Sequence, residues 1–284
     1  MDQKAENPKP TPPTGPPRSG IGGWLDTLRA MNRRRIATRR LSRKPVMTPF
    51  GFLMNANASM TGGSFEPTET RLVRALLRQA DRFVNVGANM GYYCCFAQAQ
   101  NVDTVALEPV HSNVLILIQN MQVNGWGEKI TVLPVAAGET PGFIDIYGVG
   151  TGSSAIRGWA DNPESLRQTV PVVRLHDVVA PPRPGEAMLI LMDVEGFEYF
   201  ALRGAADLIG AANKPVWLIE IVGFGDGATL STNAKATFDM MFAAGYVARR
   251  AEGDLAIVAG PEPGVTNYLF HDEAKHLEDV LGRE

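Results

Sequence analysis

Residues 83–93, FVNVGANMGYY, constrain this chain more than any other stretch, because a hydrophobic run stops at a glycine-bearing turn that opens straight into a helix. Gly87 and Gly91 allow close backbone approach to a ligand and accept unusual φ, while the first helical turn leaves N–H groups without intrahelical partners. In a parallel sheet, ligands bind beyond the carboxyl ends of the strands, which is where this turn falls. Glu108 comes 21 residues after Gly87, at the end of the next strand-like run DTVALE (103–108), and Pro109 ends that run. An acid there can accept hydrogen bonds from both hydroxyls of a ribose. Taken singly, the turn is also a plain strand-to-helix connection and the acid a solvated residue. Strand, turn, helix, strand and acid in this order predict a site for an adenosine-containing cofactor.

The turn narrows the cofactor. A dinucleotide site wants G-x-G-x-x-G, whose middle glycine lets a pyrophosphate approach; here the spacing is G-A-N-M-G and Asn89 holds that place. NAD is disfavoured, and with it an NAD-dependent dehydrogenase on a similar sheet. No glycine-lysine-serine/threonine run follows a strand, which excludes a P-loop.

The alternation continues along the chain. A helix over about 90–100 precedes DTVALE, a second helix covers 111–123, and ITVLPVA (131–137) reads as a third strand. FIDIYGV (143–149) and TVPVVRL (169–175) read as antiparallel strands around a Gly/Ser turn. MLILMDV (188–194) lacks polar alternation and suits a strand covered on both faces. A helix over 197–211, a strand VWLIEIV (216–222), a helix over 232–244 and a closing hairpin of GYVARR with LAIVAG complete the series. The expected fold is α/β: an open, mostly parallel sheet with both faces covered and an antiparallel C-terminal hairpin.

The first 44 residues differ. Residues 1–23 begin with a proline-rich, polar stretch that buries too little apolar surface to offset the entropy of ordering, so a disordered tail is expected. It lacks the basic start and apolar run of a secretory signal. Residues 24–44 carry eight Lys or Arg against Asp26; their net +7, in a chain of net -3, leaves -10 elsewhere. Trp24, Leu25, Leu28, Met31 and Ile36 are spaced roughly as one helical stripe, giving a basic amphipathic helix. Such a segment lies on an anionic membrane surface or partner, or packs on its own domain with a solvated arginine face. The total charge argues against a dedicated nucleic-acid binder, and no apolar run is long enough to span a bilayer. Adjacent Cys94 and Cys95 supply neither a disulfide framework nor paired zinc ligands; small core residues in a reducing, cytoplasmic compartment is the expectation.

NVGANMGYY, ALEPVHSN, QNMQVNGW and MDVEGFEYFALRGA, in this order, resemble the FkbM family of S-adenosylmethionine-dependent methyltransferases over about residues 64–270. The resemblance implies a class I methyltransferase (Rossmann-like) domain at 45–284. It also implies S-adenosylmethionine as donor and O-methylation of a sugar, glycolipid or natural-product hydroxyl. Two positions depart from the family pattern: Asn85 replaces its usual Asp, losing a charge toward the methionine amine, and Leu191 replaces its usual Lys. Donor contacts are expected from Asn85, Gly87, Asn89, Gly91, Tyr92, Glu108, Asn113 and Ala137. Ser153 and Ser154, in GTGSSAI, fall on the acceptor side of that topology.

For the chemistry the candidates are Asp193, Glu195 and His176. Asp193 closes the fourth strand, where the methyl group of a class I donor faces, and helix geometry there gives an acid little to do. Glu195 follows it as an alternative base, whereas Glu198 suits the positive end of the next helix. His176, in VVRLHDVV, is either a base or a satisfied structural residue. Asp193, Glu195 and Glu220 together also offer oxygen ligands for a hard divalent cation, but three acids are not a coordination shell and no metal is expected. A non-catalytic donor-binding module remains the alternative to an enzyme.

Overall fold

The computed structural model describes residues 31, 42–157, 159, 162–221, 232–276 and 281. The predicted tail and nearly all of the predicted basic helix therefore lie outside the described residues; Met31, within that segment, is helical and 57% exposed.

The described chain opens with a two-stranded ribbon, β1 (Val46–Met47) and β2 (Leu53–Met54), then helices α1 (Ala58–Gly62) and α2 (Pro67–Leu77). The alternating region follows: β3 (Arg82–Val86), α3 (Tyr92–Ala99), β4 (Asp103–Leu107), α4 (His111–Val123) and β5 (Ile130–Leu133). Next come β6 (Ala136–Ala137), β7 (Gly142–Tyr147), β8 (Arg167–Val173) and the short α5 (Leu175–Val178). The rest is β9 (Met188–Met192), α6 (Glu198–Arg203), α7 (Ala206–Ile209), β10 (Val216–Glu220), α8 (Thr232–Ala243), β11 (Tyr246–Arg250), β12 (Ile257–Val258) and β13 (Asn267–Asp272).

The main sheet has the order β5-β4-β3-β9-β10-β13-β11-β12. β3, β4, β5, β9 and β10 are parallel, and β13 runs antiparallel between β10 and β11. Strand order reverses at β3, whose neighbours are β4 and β9, and a ligand crevice is expected at such a switch point. Period-2 alternation sorts the side chains. Phe83, Leu189, Leu191, Leu218 and Leu269 face α2 and α3, while Val84, Val86, Ile190, Met192 and Trp217 face the layer containing Leu202, Phe238 and Met241. All five residues of β9 are buried, and each large apolar side chain so covered contributes about 1.5–3 kcal/mol. Cys94 and Cys95 are free thiols within this core.

Asn120 on α4 and Asn124 at its C-cap join the ribbon to the core. Asn124 both donates to and accepts from the backbone of Leu53 (2.7 and 2.9 Å), and Asn120 does the same for Asn55 (3.1 and 2.7 Å). Spaced i, i+4 at the end of α4, they bond the backbone of Leu53 in β2 and of Asn55 just after it, alternate residues of one extended run.

Two expectations are corrected. The run 131–137 is not one strand. Pro134 has no N–H to continue the ladder, so β5 ends in the main sheet and β6, with Ala137, joins a separate sheet of order β6-β8-β7. The helix expected over 197–211 is broken at Gly204, where a Cβ would collide with the carbonyl of Gly138. The expected C-terminal hairpin is present, as β11 against the two-residue β12 at the sheet edge. The strand that enters the sheet beside β10 is NYLFHD, 267–272, unassigned in the sequence reading.

Candidate active site

The turn after β3 is set by sterics. Gly87 has φ +84°, and a Cβ there would collide with the carbonyl of Asp193, so the first strand's turn and the end of β9 touch through backbone alone. Its N–H and that of Ala88 both bond to Leu107 O at 2.9 Å, fixing the turn against the end of β4.

Glu108, next along that strand, is only 4% exposed. Its carboxylate accepts from the N–H of Asn89 (2.7 Å), the N–H of Val110 (2.8 Å) and the side-chain amide of Asn113 (3.2 Å). Burial pushes its pKa up to about 7, against the opposing pull of those three donors. The acid is thus oriented, with oxygen lone pairs still available toward the cleft.

That cleft is lined by Gly87, Asn89, Glu108, Asn113, Ala137, Asp193 and Glu195 among the predicted residues. Its apolar wall comes from Leu107, Val135, Ala136, Ile144, Ile146, Ala155 and Phe197. Sequence reasoning missed Ile144 and Ile146, although FIDIY places them on one face of a strand. What was not legible is that the small sheet folds this face over the end of β4. Ser153 also lines the cleft and bonds Gly150 O at 3.0 Å, while Ser154 is buried and holds Glu195 O at 2.6 Å.

Asp193 also lines a second, small pocket, together with Glu66, Glu69, Tyr93, Glu220 and Asn267. The side chains of Asp193 and Glu220 are hydrogen bonded to each other, and burial raises the pKa of both, with their mutual charge adding to Asp193's rise. Two carboxyls so placed share a proton rather than both ionising. Asp193 Oδ1 is buried and has no hydrogen-bond partner among the described residues. Glu66 accepts from Tyr93 Oη at 2.8 Å and is pushed by burial up to about 7. Glu195 instead accepts from Trp159 Nε1 at 2.8 Å.

Four predicted residues are not brought to either cavity. Asn85 is buried against Cys94 Sγ, 3.5 Å away. Gly91 has φ +80° and caps α3. Tyr92 packs edge-on among Phe65, Tyr93 and Phe96. His176 sits on α5, its Nε2 3.7 Å from Asp177 Oδ1. Glu198 accepts from Gly196 N–H at 2.9 Å and lines neither cavity, a helix-start role. Among the described residues no group of three or more His, Cys, Asp or Glu is arranged to hold a metal ion, and no helix is long and apolar enough to cross a membrane.

A sheet of this order, with a glycine turn on its first parallel strand and an oriented acid after its second, defines a class I methyltransferase fold. The methyltransferase FkbM domain model matches residues 85–248, more than half of the chain, and the chain belongs to that family. No curated protein matches it. Among solved structures it is similar to methyltransferase FkbM from Methylobacillus flagellatus KT, at 15% identity and TM-score 0.42, covering 87% of this chain and 60% of that one. It is also similar to an O-methyltransferase from Bacillus cereus in complex with SAH, at 11% identity and TM-score 0.40, covering 75% of this chain and 84% of that one. A third is the precorrin-6y C5,15-methyltransferase from Geobacter metallireducens GS-15, at 15% identity and TM-score 0.40, covering 76% of this chain and 92% of that one. The chain spans about three-fifths of the length of the first of these structures.

Proposed function

We propose that this protein transfers a methyl group from S-adenosylmethionine to a hydroxyl of a sugar, glycolipid or natural product. The observation that carries the reading is Glu108, held buried by three donors at the lip of the Gly87 turn and facing a largely apolar cleft. An acceptor-only group beside an apolar wall matches a ribose diol joined to a flat base, and Asn89, where a dinucleotide site needs glycine, disfavours a pyrophosphate. The residues fit the donor: Glu108 would hold the ribose, Ile144, Ile146 and Val135 the adenine, and the backbone of the Gly87 turn the remainder. The buried side-chain oxygen of Asn89, unpartnered among the described residues, adds an acceptor in the same wall.

When bound, the donor supplies an activated methyl on a sulfonium, so an acceptor O–C bond forms as the S–C bond breaks. The protein's own task is alignment and removal of the acceptor proton. Positioning contributes on the order of 7–11 kcal/mol and a general base about 10²- to 10⁴-fold. Asp193 borders both cavities, which supports donor in one, acceptor in the other and this carboxylate as the base between them. Glu220 holds the Asp193 carboxyl and shares its proton. The second cavity's carboxylates and Asn267 suit an acceptor rich in hydroxyl donors. Free, buried Cys94 and Cys95 suit a reducing, cytoplasmic setting.

Calorimetry on the whole chain with S-adenosylmethionine, S-adenosylhomocysteine and NAD tests the reading. Binding of the adenosyl ligands that Glu108→Ala removes is expected; binding of NAD alone, or of none, would overturn it.

A further inference from the structure

We infer that Glu195, set in place by Trp159, binds the α-ammonium of the methyl donor, so that the cleft reads the amino-acid end of that molecule as well as its adenosine. The inference rests on the donor proposed above and names a side-chain contact for the part of it that lies beyond the ribose.

Order along the sheet is the first support. The cleft lies at the carboxyl ends of β4, β3 and β9, with Glu108 after β4, the Gly87 turn after β3, and Asp193 and Glu195 after β9. With ribose at Glu108 and adenine against Ile144 and Ile146, the amino-acid end falls on the Gly87 side, toward β9.

Charge is the second. The described residues that line the cleft include three acids, Glu108, Asp193 and Glu195, and no Lys, Arg or His. Of the three, Glu108 is assigned to the ribose and Asp193 shares a proton with Glu220. Glu195 is left to meet a cation, and an ammonium offers a carboxylate charge-assisted hydrogen bonds.

Geometry is the third. Glu195 has φ +54°, in the left-handed region that a non-glycine residue seldom adopts and that its surroundings must hold. Here they do. Ser154 Oγ donates to its carbonyl at 2.6 Å, and Trp159 Nε1 donates to its Oε2 at 2.8 Å. The indole is fixed in turn, since it and Ile156 fill the space that a Cβ on Gly196 would need. Oε1 lies 4.0 Å from where a Cβ on Gly152 would sit, beside a residue that also lines the cleft. A carboxylate clamped in this way suits a standing ion contact, and the base role stays with Asp193, which borders both cavities.

The test is calorimetry on the whole chain with S-adenosylhomocysteine and with its desamino analogue, which keeps the adenosine, thioether and carboxylate and lacks the α-ammonium alone. The wild-type protein should bind the first about tenfold to a hundredfold more tightly. Glu195→Gln, which keeps the shape of the side chain, should bring the two ligands to within about twofold by weakening S-adenosylhomocysteine. Trp159→Phe, which keeps a ring against Gly196 and removes the N–H, should narrow the gap about threefold to tenfold. Neither variant should weaken the analogue, whose affinity reports an intact cleft. Equal weakening of both ligands by either variant, or a Glu195→Gln protein that still prefers the ammonium, would overturn the inference and leave the donor reading standing. Wild-type binding of neither ligand would overturn both.

Discussion

The backbone N–H of Asn89 donates to Glu108 Oε2 at 2.7 Å, tying the glycine turn after the first parallel strand to the acid after the second. The same carboxylate that would accept the ribose hydroxyls thus also holds the loop that would bear the rest of the donor. Glu108→Ala should remove both contributions, weakening S-adenosylhomocysteine binding by about a hundredfold, at about 1.5–3 kcal/mol per charged hydrogen bond. Glu108→Gln should recover only part of this, and calorimetry separates the two.

The pH dependence of stability and of binding should have opposite signs. Burial raises Glu108 and Glu66 to about 7 and Glu198 to about 8, above their values in the unfolded chain. The unfolded state therefore loses these protons first. The ligand-free protein should lose stability as pH rises from about 4.5, a normal glutamate value, toward 8. Donor binding needs Glu108 ionised, so affinity should instead rise through pH 7. Thermal midpoints with and without S-adenosylhomocysteine over pH 5–8 check both; parallel slopes would contradict the role given to Glu108.

Asp193→Asn keeps the shape of the side chain and removes its basicity. We expect kcat to fall about 10²- to 10⁴-fold on any hydroxylated acceptor that turns over, with the dissociation constant of S-adenosylhomocysteine little changed. An equal loss in binding would move Asp193 from base to donor ligand. Glu220→Gln should shift the pH profile of kcat, because it alters the group that shares Asp193's proton.

Gly87→Ala forces a Cβ into the carbonyl of Asp193 and also strains a φ of +84°. Destabilisation of about 2 kcal/mol or more, read by chemical denaturation, is expected. Gly125→Ala also sits at positive φ (+73°) but meets nothing within 4 Å, so it should cost about half that or less.

Asn120→Ala should destabilise by about 2–4 kcal/mol, since it removes three buried hydrogen bonds, two with the backbone of Asn55 and one to the carbonyl of Met90, which accepts from Asn120 at 2.8 Å. Denaturant titration with an unchanged slope would locate the loss in the native ribbon rather than the unfolded state.

Much of the site was legible because its parts lie in sequence-local units. Gly87, Asn89, Glu108 and Asn113 come from one strand–turn–helix–strand–helix run, in which hydrophobic periodicity fixes the elements and a glycine marks the turn. Ile144 and Ile146 were legible as one face of a strand but not as a wall of the cleft. Their partner is the end of β4, more than thirty residues earlier, and nothing local selects that partner. The directions of Tyr92 and Asn85 were not legible for a related reason. Helix and strand phase decide which way they point, and both point into the core.

From the sequence alone follow the α/β class, the parallel order of the early strands, the glycine turn with an acid after the next strand and the charge segregation of residues 24–44. Each depends on periodicity, on glycine's missing Cβ or on counting charges. Only the tertiary structure placed NYLFHD between β10 and β11, split the run 131–137 at Pro134 between two sheets, and brought Asp193 against Glu220 between two cavities. Those outcomes depend on contacts between residues far apart in the chain, whose free energy comes from burial and desolvation that no local pattern encodes.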